Sequence, residues 1–134
     1  MIHQKNKGLS TARNVGLNRM TGDVVAFLDS DDAYDHRMIE IMLKEMERQR
    51  ADIVVCGYSS QKTQRRMRTK AGKVTGYQCR ILNRGDVLFE VLDNRINSAP
   101  WNKLYKKEIW NDLRFPDGYV YERTYSIFNI FDRT

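Results

Sequence analysis

Four carboxylates fall within seven residues in the stretch Asp29-Ser30-Asp31-Asp32-Ala33-Tyr34-Asp35. They follow the apolar run Val24-Val25-Ala26-Phe27-Leu28, which Gly22-Asp23 sets off on its other side. The pattern reads as a buried strand that ends in acids at the rim of a sheet. Carboxylates packed this closely repel one another unless a cation or a bound proton compensates. All-oxygen ligand sets suit Mg²⁺ or Mn²⁺, which keep positions open for water and substrate phosphates. Asp32 or Asp35 could instead cap a following helix, but one cap needs one acid and explains only part of the cluster. The chemistry indicated is the handling of a phosphate with a divalent metal.

The residues around the cluster narrow this. Upstream runs Asn6-Lys7-Gly8-Leu9-Ser10-Thr11-Ala12-Arg13-Asn14-Val15-Gly16, and downstream come Trp101-Asn102-Lys103-Leu104-Tyr105 and Phe115-Pro116-Asp117-Gly118, leading to Glu122. Together with Gly22-Asp23 and the aspartate motif, these ordered blocks closely resemble the family 2 glycosyltransferases of the GT-A fold. The resemblance implies a partial α/β fold, a Rossmann-like mixed sheet flanked by helices. It implies inverting, metal-dependent transfer of a sugar from a nucleotide-sugar donor, a UDP-sugar foremost, to a saccharide or glycolipid acceptor. The cofactor implied is Mn²⁺ or Mg²⁺, with Asp31 as its ligand and Asp29 beside the metal or the ribose. Arg13 matches the arginine of the A-R-N block and is placed at the donor phosphate or in an ion pair with a carboxylate. Lys7 is a donor contact or a surface charge. Trp101 aligns with the aromatic near the acceptor, and Glu122 with the carboxylate base, although Arg123 stands where the family carries aspartate. Family members begin with strands that hold the nucleotide base, and on that comparison the chain reads as a fragment lacking them.

These groups need elements to position them. Leu9, Ala12, Val15, Gly16 and Met20 recur at helical spacing, with Ser10 or Thr11 as N-cap. Met38, Ile41, Met42 and Met46 stripe a second helix over residues 35–49 and read as core. The run Ile53-Val54-Val55-Cys56 suits another buried strand. Helix, strand, helix, strand in that order predicts an α/β sheet with parallel members. A helix is expected over 84–93, strand or loop over 97–105, a short helix over 106–113 and a last helix over 122–131. One domain of 134 residues results, with a metal and donor core at 1–58, a basic hairpin or loop at 59–83, and an acceptor side at 84–134.

Composition excludes several classes. Hydrophobic content of 41% with 30% charged residues fits a globular protein, and the longest apolar run is too short to span a bilayer. Cys56 and Cys79 lack metal-ligand spacing and read as reduced thiols in a cytoplasmic protein. The net charge of +6 comes from one segment: residues 61–84 hold eight basic residues and no acid, and without those eight, 15 basic residues face 17 acidic ones. Such a run is most often a solvated face. It also attracts phosphate-rich partners or an anionic membrane, which would bring the chain to the inner face of the cell membrane. Nucleic acid is not expected, because Tyr77 alone could stack on a base. Two other readings fit an aspartate motif after a strand. One is a non-catalytic remnant of the same fold; the other is a phosphatase of the haloacid-dehalogenase type, in which the first aspartate is the nucleophile.

Overall fold

The computed structural model describes residues 2–58, 79–116 and 129–131. The elements in order are α1 (Leu9–Arg19), β1 (Val24–Ala26), α2 (Met38–Gln49), β2 (Ile53–Val55), α3 (Arg84–Leu92) and β3 (Lys103–Lys106), which runs into a 3₁₀ turn at Lys107–Trp110. Residues 129–131 are helical. Most of the basic 59–83 segment and of the expected last helix lies outside the described residues.

The three strands form one sheet in the order β1-β3-β2. β3 is antiparallel to both neighbours, with Val25 and Ile53 opposite Tyr105, and Ala26 and Val54 opposite Leu104. β1 and β2 therefore point the same way, as a strand–helix–strand unit requires, but β3 fills the slot between them. Both hydrogen-bonded pairs are antiparallel as a result. The fold is the expected α/β arrangement of a partial sheet flanked by helices.

Burial differs from the periodicity at two places. The apolar strands β1 and β2 are flanking strands and mostly half-buried, with Ala26 exposed and Leu28 beyond β1 52% exposed. The buried strand is the central one, whose Lys-Leu-Tyr-Lys sequence looks amphipathic; Lys103, Leu104 and Tyr105 are at most 1% exposed. In α1 the buried side chains are Ser10, Arg13 and Leu17, while Leu9, Ala12 and Gly16 face out. Its N-cap is Gly8 rather than Ser10 or Thr11, at φ +89°, a conformation open to glycine without strain.

Successive residues of β3 serve opposite faces. On one face Leu104 meets Met42 and Met46 of α2, so the methionine stripe is core as its spacing predicts. On the other face Tyr105 joins Leu17, Ile109, Trp110, Leu113, Phe115 and Ile130. Phe27 enters this cluster edge-on to Tyr105, Trp110 and Phe115, with ring centres 5.9, 5.2 and 5.4 Å apart, and Trp110 stacks on Phe115 at 5.3 Å. Edge-to-face and offset pairs each add about 0.5–1.5 kcal/mol beyond area burial.

Polar side chains fasten α1 to this cluster. Asn14 Nδ2 donates to the Phe115 carbonyl at 2.8 Å, and the Phe115 amide donates to Asn14 Oδ1 at 2.9 Å. Arg114 Nε donates to Asn18 Oδ1 at 2.9 Å. A turn at Asp35 leads into α2, whose N-cap is Arg37: the Asp35 carbonyl accepts from the Met38 amide and its carboxylate from the Arg37 amide, each at 2.9 Å. α3 is capped by Asn83, whose Oδ1 accepts from the Asp86 amide at 3.0 Å.

Candidate active site

β1 and β2 run one way and β3 the other. The loop after β1, the loop after β2 and the loop before β3 are therefore gathered at one end of the sheet. With strands about 4.8 Å apart, β1 and β2 are offset by about 10 Å across β3. Asp29–Asp32, Cys56–Tyr58 and Asn97–Asn102 all belong to this end.

The acidic loop closes on itself, with the Asp32 amide donating to the Asp29 carbonyl at 3.0 Å. Arg13 reaches it from α1: Nη2 donates to Asp29 Oδ1 at 3.0 Å, with the two side chains 6% and 22% exposed. The guanidinium carbon lies 5.2 Å from the centre of the Phe115 ring, within cation–π range. The A-R-N block is thereby explained, since Arg13 orients the first aspartate and Asn14, one residue on, ties the helix to Phe115. A charged residue faces inward in α1 because both its charge and its planar face find partners there.

Asp31 and Asp32 are exposed, and neither forms an ion pair among the described residues. The three carboxylates do not converge: among the described residues no group of three His, Cys, Asp or Glu side chains is placed to hold a metal. Mutual repulsion spreads bare carboxylates, and Arg13 already balances Asp29. The oxygen donors nevertheless match a hard divalent cation, and Asp31 is available to one beside Asp29.

Tyr34 ties the far side of the acidic loop back to the residue that follows β1. Its hydroxyl donates to the Phe27 carbonyl, and its pKa is raised by burial first and then by Cys56, Asp29 and Asp32. Cys56, at the end of β2, is tied to Asn102 before β3. The Cys56 amide donates to the Asn102 carbonyl at 3.0 Å, and Asn102 Nδ2 donates back to the Cys56 carbonyl at 2.8 Å. Burial raises the Cys56 thiol. Lys103 is fully buried, and its ammonium donates to the Asn97 carbonyl, the Ala99 carbonyl and Asn102 Oδ1 at 2.5, 2.6 and 2.8 Å. Burial pushes this amine down to about 7.

The structure brings together Arg13 and Asp29, and places Asp31 in the same turn. Trp101 stands at the same sheet end and meets the Tyr58 ring edge-on at 4.8 Å. Lys7 is exposed ahead of α1, where its carbonyl accepts from the Thr11 hydroxyl at 3.0 Å. Glu122 lies outside the described residues. Tyr34, Tyr58, Asn102 and Lys103 belong to the site without having been read from sequence. A lysine beside the apolar Leu104 and Tyr105 of the W-N-K-L-Y block is the signal that could have found the last of them. Two hollows flank the sheet. One of about 550 Å³ runs along β2 and reaches Tyr58 and Asn102, and one of about 320 Å³ borders β1 at Arg13 and Phe27.

The family model for glycosyl transferase family 2 matches residues 1–119. That span includes both the A-R-N and W-N-K-L-Y blocks, for which a dehalogenase-type phosphatase has no place. Glycosyltransferase GlyA of Streptococcus pneumoniae is 33% identical over 92% of this chain and 19% of its own length. The uncharacterized glycosyltransferase EpsJ of Bacillus subtilis is 30% identical over 87% of this chain and 36% of its own length. A cholesterol galactosyltransferase of Borreliella burgdorferi is 37% identical over 40% of the chain and 15% of its own length. The chain thus spans well under half the length of these curated relatives. The chain belongs to glycosyl transferase family 2.

Proposed function

We propose that the chain takes part in inverting transfer of a sugar from a nucleotide-sugar, a UDP-sugar foremost, to a saccharide or glycolipid acceptor, with Mn²⁺ or Mg²⁺. The observation that carries this reading is the Arg13–Asp29 pair at 3.0 Å, which orients the first carboxylate of the acidic loop beside Asp31. Asp31 and Asp29 would hold the cation, whose charge offsets the negative charge that builds on the departing diphosphate. Arg13 orients Asp29 and presents positive charge where phosphate oxygens arrive. Lys7 adds a second cation on the approach to α1. In an inverting displacement the acceptor oxygen attacks the anomeric carbon as the bond to the diphosphate breaks, and Glu122 is the residue that takes the acceptor's hydroxyl proton. Trp101 lies on the acceptor side of the same sheet end.

The basic residues of 61–84 support a location at the cytoplasmic face of an anionic membrane, where a glycolipid acceptor is at hand. Among the described residues no helix is long and apolar enough to cross a membrane. Arg123, which cannot accept a proton, favours a second reading in which the chain binds donor without turning it over. Calorimetry with UDP and Mn²⁺, followed by a turnover assay with radiolabelled UDP-sugars, tests both. Metal-dependent binding with turnover supports transfer, binding alone supports the second reading, and no binding refutes both.

A further inference from the structure

The Tyr58–Trp101 pair is asymmetric. Tyr58 is 64% exposed and lines the 550 Å³ cleft along β2, whereas Trp101 is only partly exposed and lies outside the walls of that cleft. The rings meet at 83°, edge to face, so Trp101 covers at most one face of Tyr58 and leaves the other open. An exposed aromatic ring gains by covering its face, and the C–H face of a pyranose is the partner that a transferase brings to this end of the sheet.

The ring is also held. The reciprocal Cys56–Asn102 hydrogen bonds join the chain two residues before Tyr58 to the residue after Trp101. Beneath them the buried Lys103 ammonium collects three oxygens from the loop that carries Trp101. An ordinary surface turn needs no buried cation. Taking an ammonium out of water is costly, and the expense is offset here by complete hydrogen bonding around one short loop.

We infer that Tyr58 is the side chain that stacks on the acceptor's sugar ring, with Trp101 as its brace and the Asn102–Lys103 clamp as its positioning device. This inference rests on the glycosyl-transfer reading, and gives that reading an acceptor subsite about one strand pair away from the acidic loop. Asn97, half-buried on the cleft wall, offers its side-chain Nδ2 to a sugar hydroxyl, its Oδ1 already accepting from the Ala99 amide.

Saturation-transfer NMR on the full chain, with methyl β-D-glucopyranoside and methyl β-D-galactopyranoside as probes, tests it. The expected result is saturation of the C–H protons on one ring face in the native chain. Tyr58→Phe should retain it and Tyr58→Ala should reduce it at least tenfold. Lys103→Met should also weaken it, while raising acrylamide quenching of Trp101, since Trp110 is fully buried and silent to the quencher. Asn102→Ala serves if Lys103→Met fails to fold. Unchanged saturation in Tyr58→Ala, or none in the native chain, overturns the inference. UDP–Mn²⁺ calorimetry on the same samples reports the donor side separately. Loss of that binding would strike at the transfer reading, while the glycoside result would still decide the role of Tyr58.

Discussion

Lys103 offers a measurable consequence of burying an amine that has no carboxylate partner among the described residues. Its side chain is fully buried, and burial holds the folded-state value near 7 against an ordinary 10.5. A lysine lowered on folding binds its proton more tightly in the unfolded chain. Between about pH 7 and 10.5 the unfolded state therefore carries more protons, and folding stability rises with pH. The slope approaches about 1.4 kcal/mol per pH unit where the amine is fully neutral in the folded chain and fully charged in the unfolded one. The gain is complete above the unfolded value, and it is lost as pH falls back toward 7. Cys56 and Cys79, both raised by burial, ionise first in the unfolded chain and so oppose the rise, but only slightly below pH 8 because an ordinary thiol titrates at about 8.5. Urea unfolding at pH 7.0, 7.5 and 8.0 should show the native chain gaining about 0.5–1 kcal/mol across that window. Lys103→Met should be flat over the same range. At pH 7 the variant loses donors to three oxygens but also sheds a buried charge, so its absolute stability should change by about 1–3 kcal/mol. Parallel pH dependences in native and variant chains would refute the reasoning, because the amine would then titrate alike in both states.

Asn14→Ala removes both hydrogen bonds to the Phe115 backbone and should cost about 2–3 kcal/mol in urea unfolding, with two backbone groups left to find water. Arg50 ends α2 in the left-handed region at φ 53°, so Arg50→Gly should stabilise the chain by about 0.5–1 kcal/mol, read as a rise in melting temperature. Asp31→Asn should leave the melting temperature within about 1 °C of native, since the carboxylate is exposed and unpaired among the described residues. The same variant should weaken Mn²⁺-dependent UDP binding at least tenfold in calorimetry, and chelating the metal with EDTA should bring the native chain down to the same level.

Much of the architecture was legible because local pattern and tertiary structure agree. The methionine stripe faces the sheet, since helical spacing alone puts Met42 and Met46 on one side of α2. α3 starts and stops within a residue of its expected span, because Asn83 is a strong cap and Val87 and Val91 keep the helical period. α1 ran against its pattern. Its inward face is Ser10, Arg13 and Leu17, because Asp29 and Phe115, far along the chain, offer Arg13 a carboxylate and a ring. The apolar runs read as buried strands, yet the polar-looking β3 is the buried one, at the centre of the sheet.

From sequence alone one could tell the family, the order of helices and strands, and the residue types of the acidic loop and the A-R-N block, since each is written in contiguous stretches. Periodicity depends on near neighbours and is visible along the chain. What only the tertiary structure decided is which distant groups meet: Arg13 with Asp29, Asn14 with Phe115, Lys103 with the loop before it, and Tyr58 with Trp101. Those pairings follow from β3 entering between β1 and β2. That choice is settled by long-range burial of Leu104 and Tyr105 on opposite faces, and no local period reveals it.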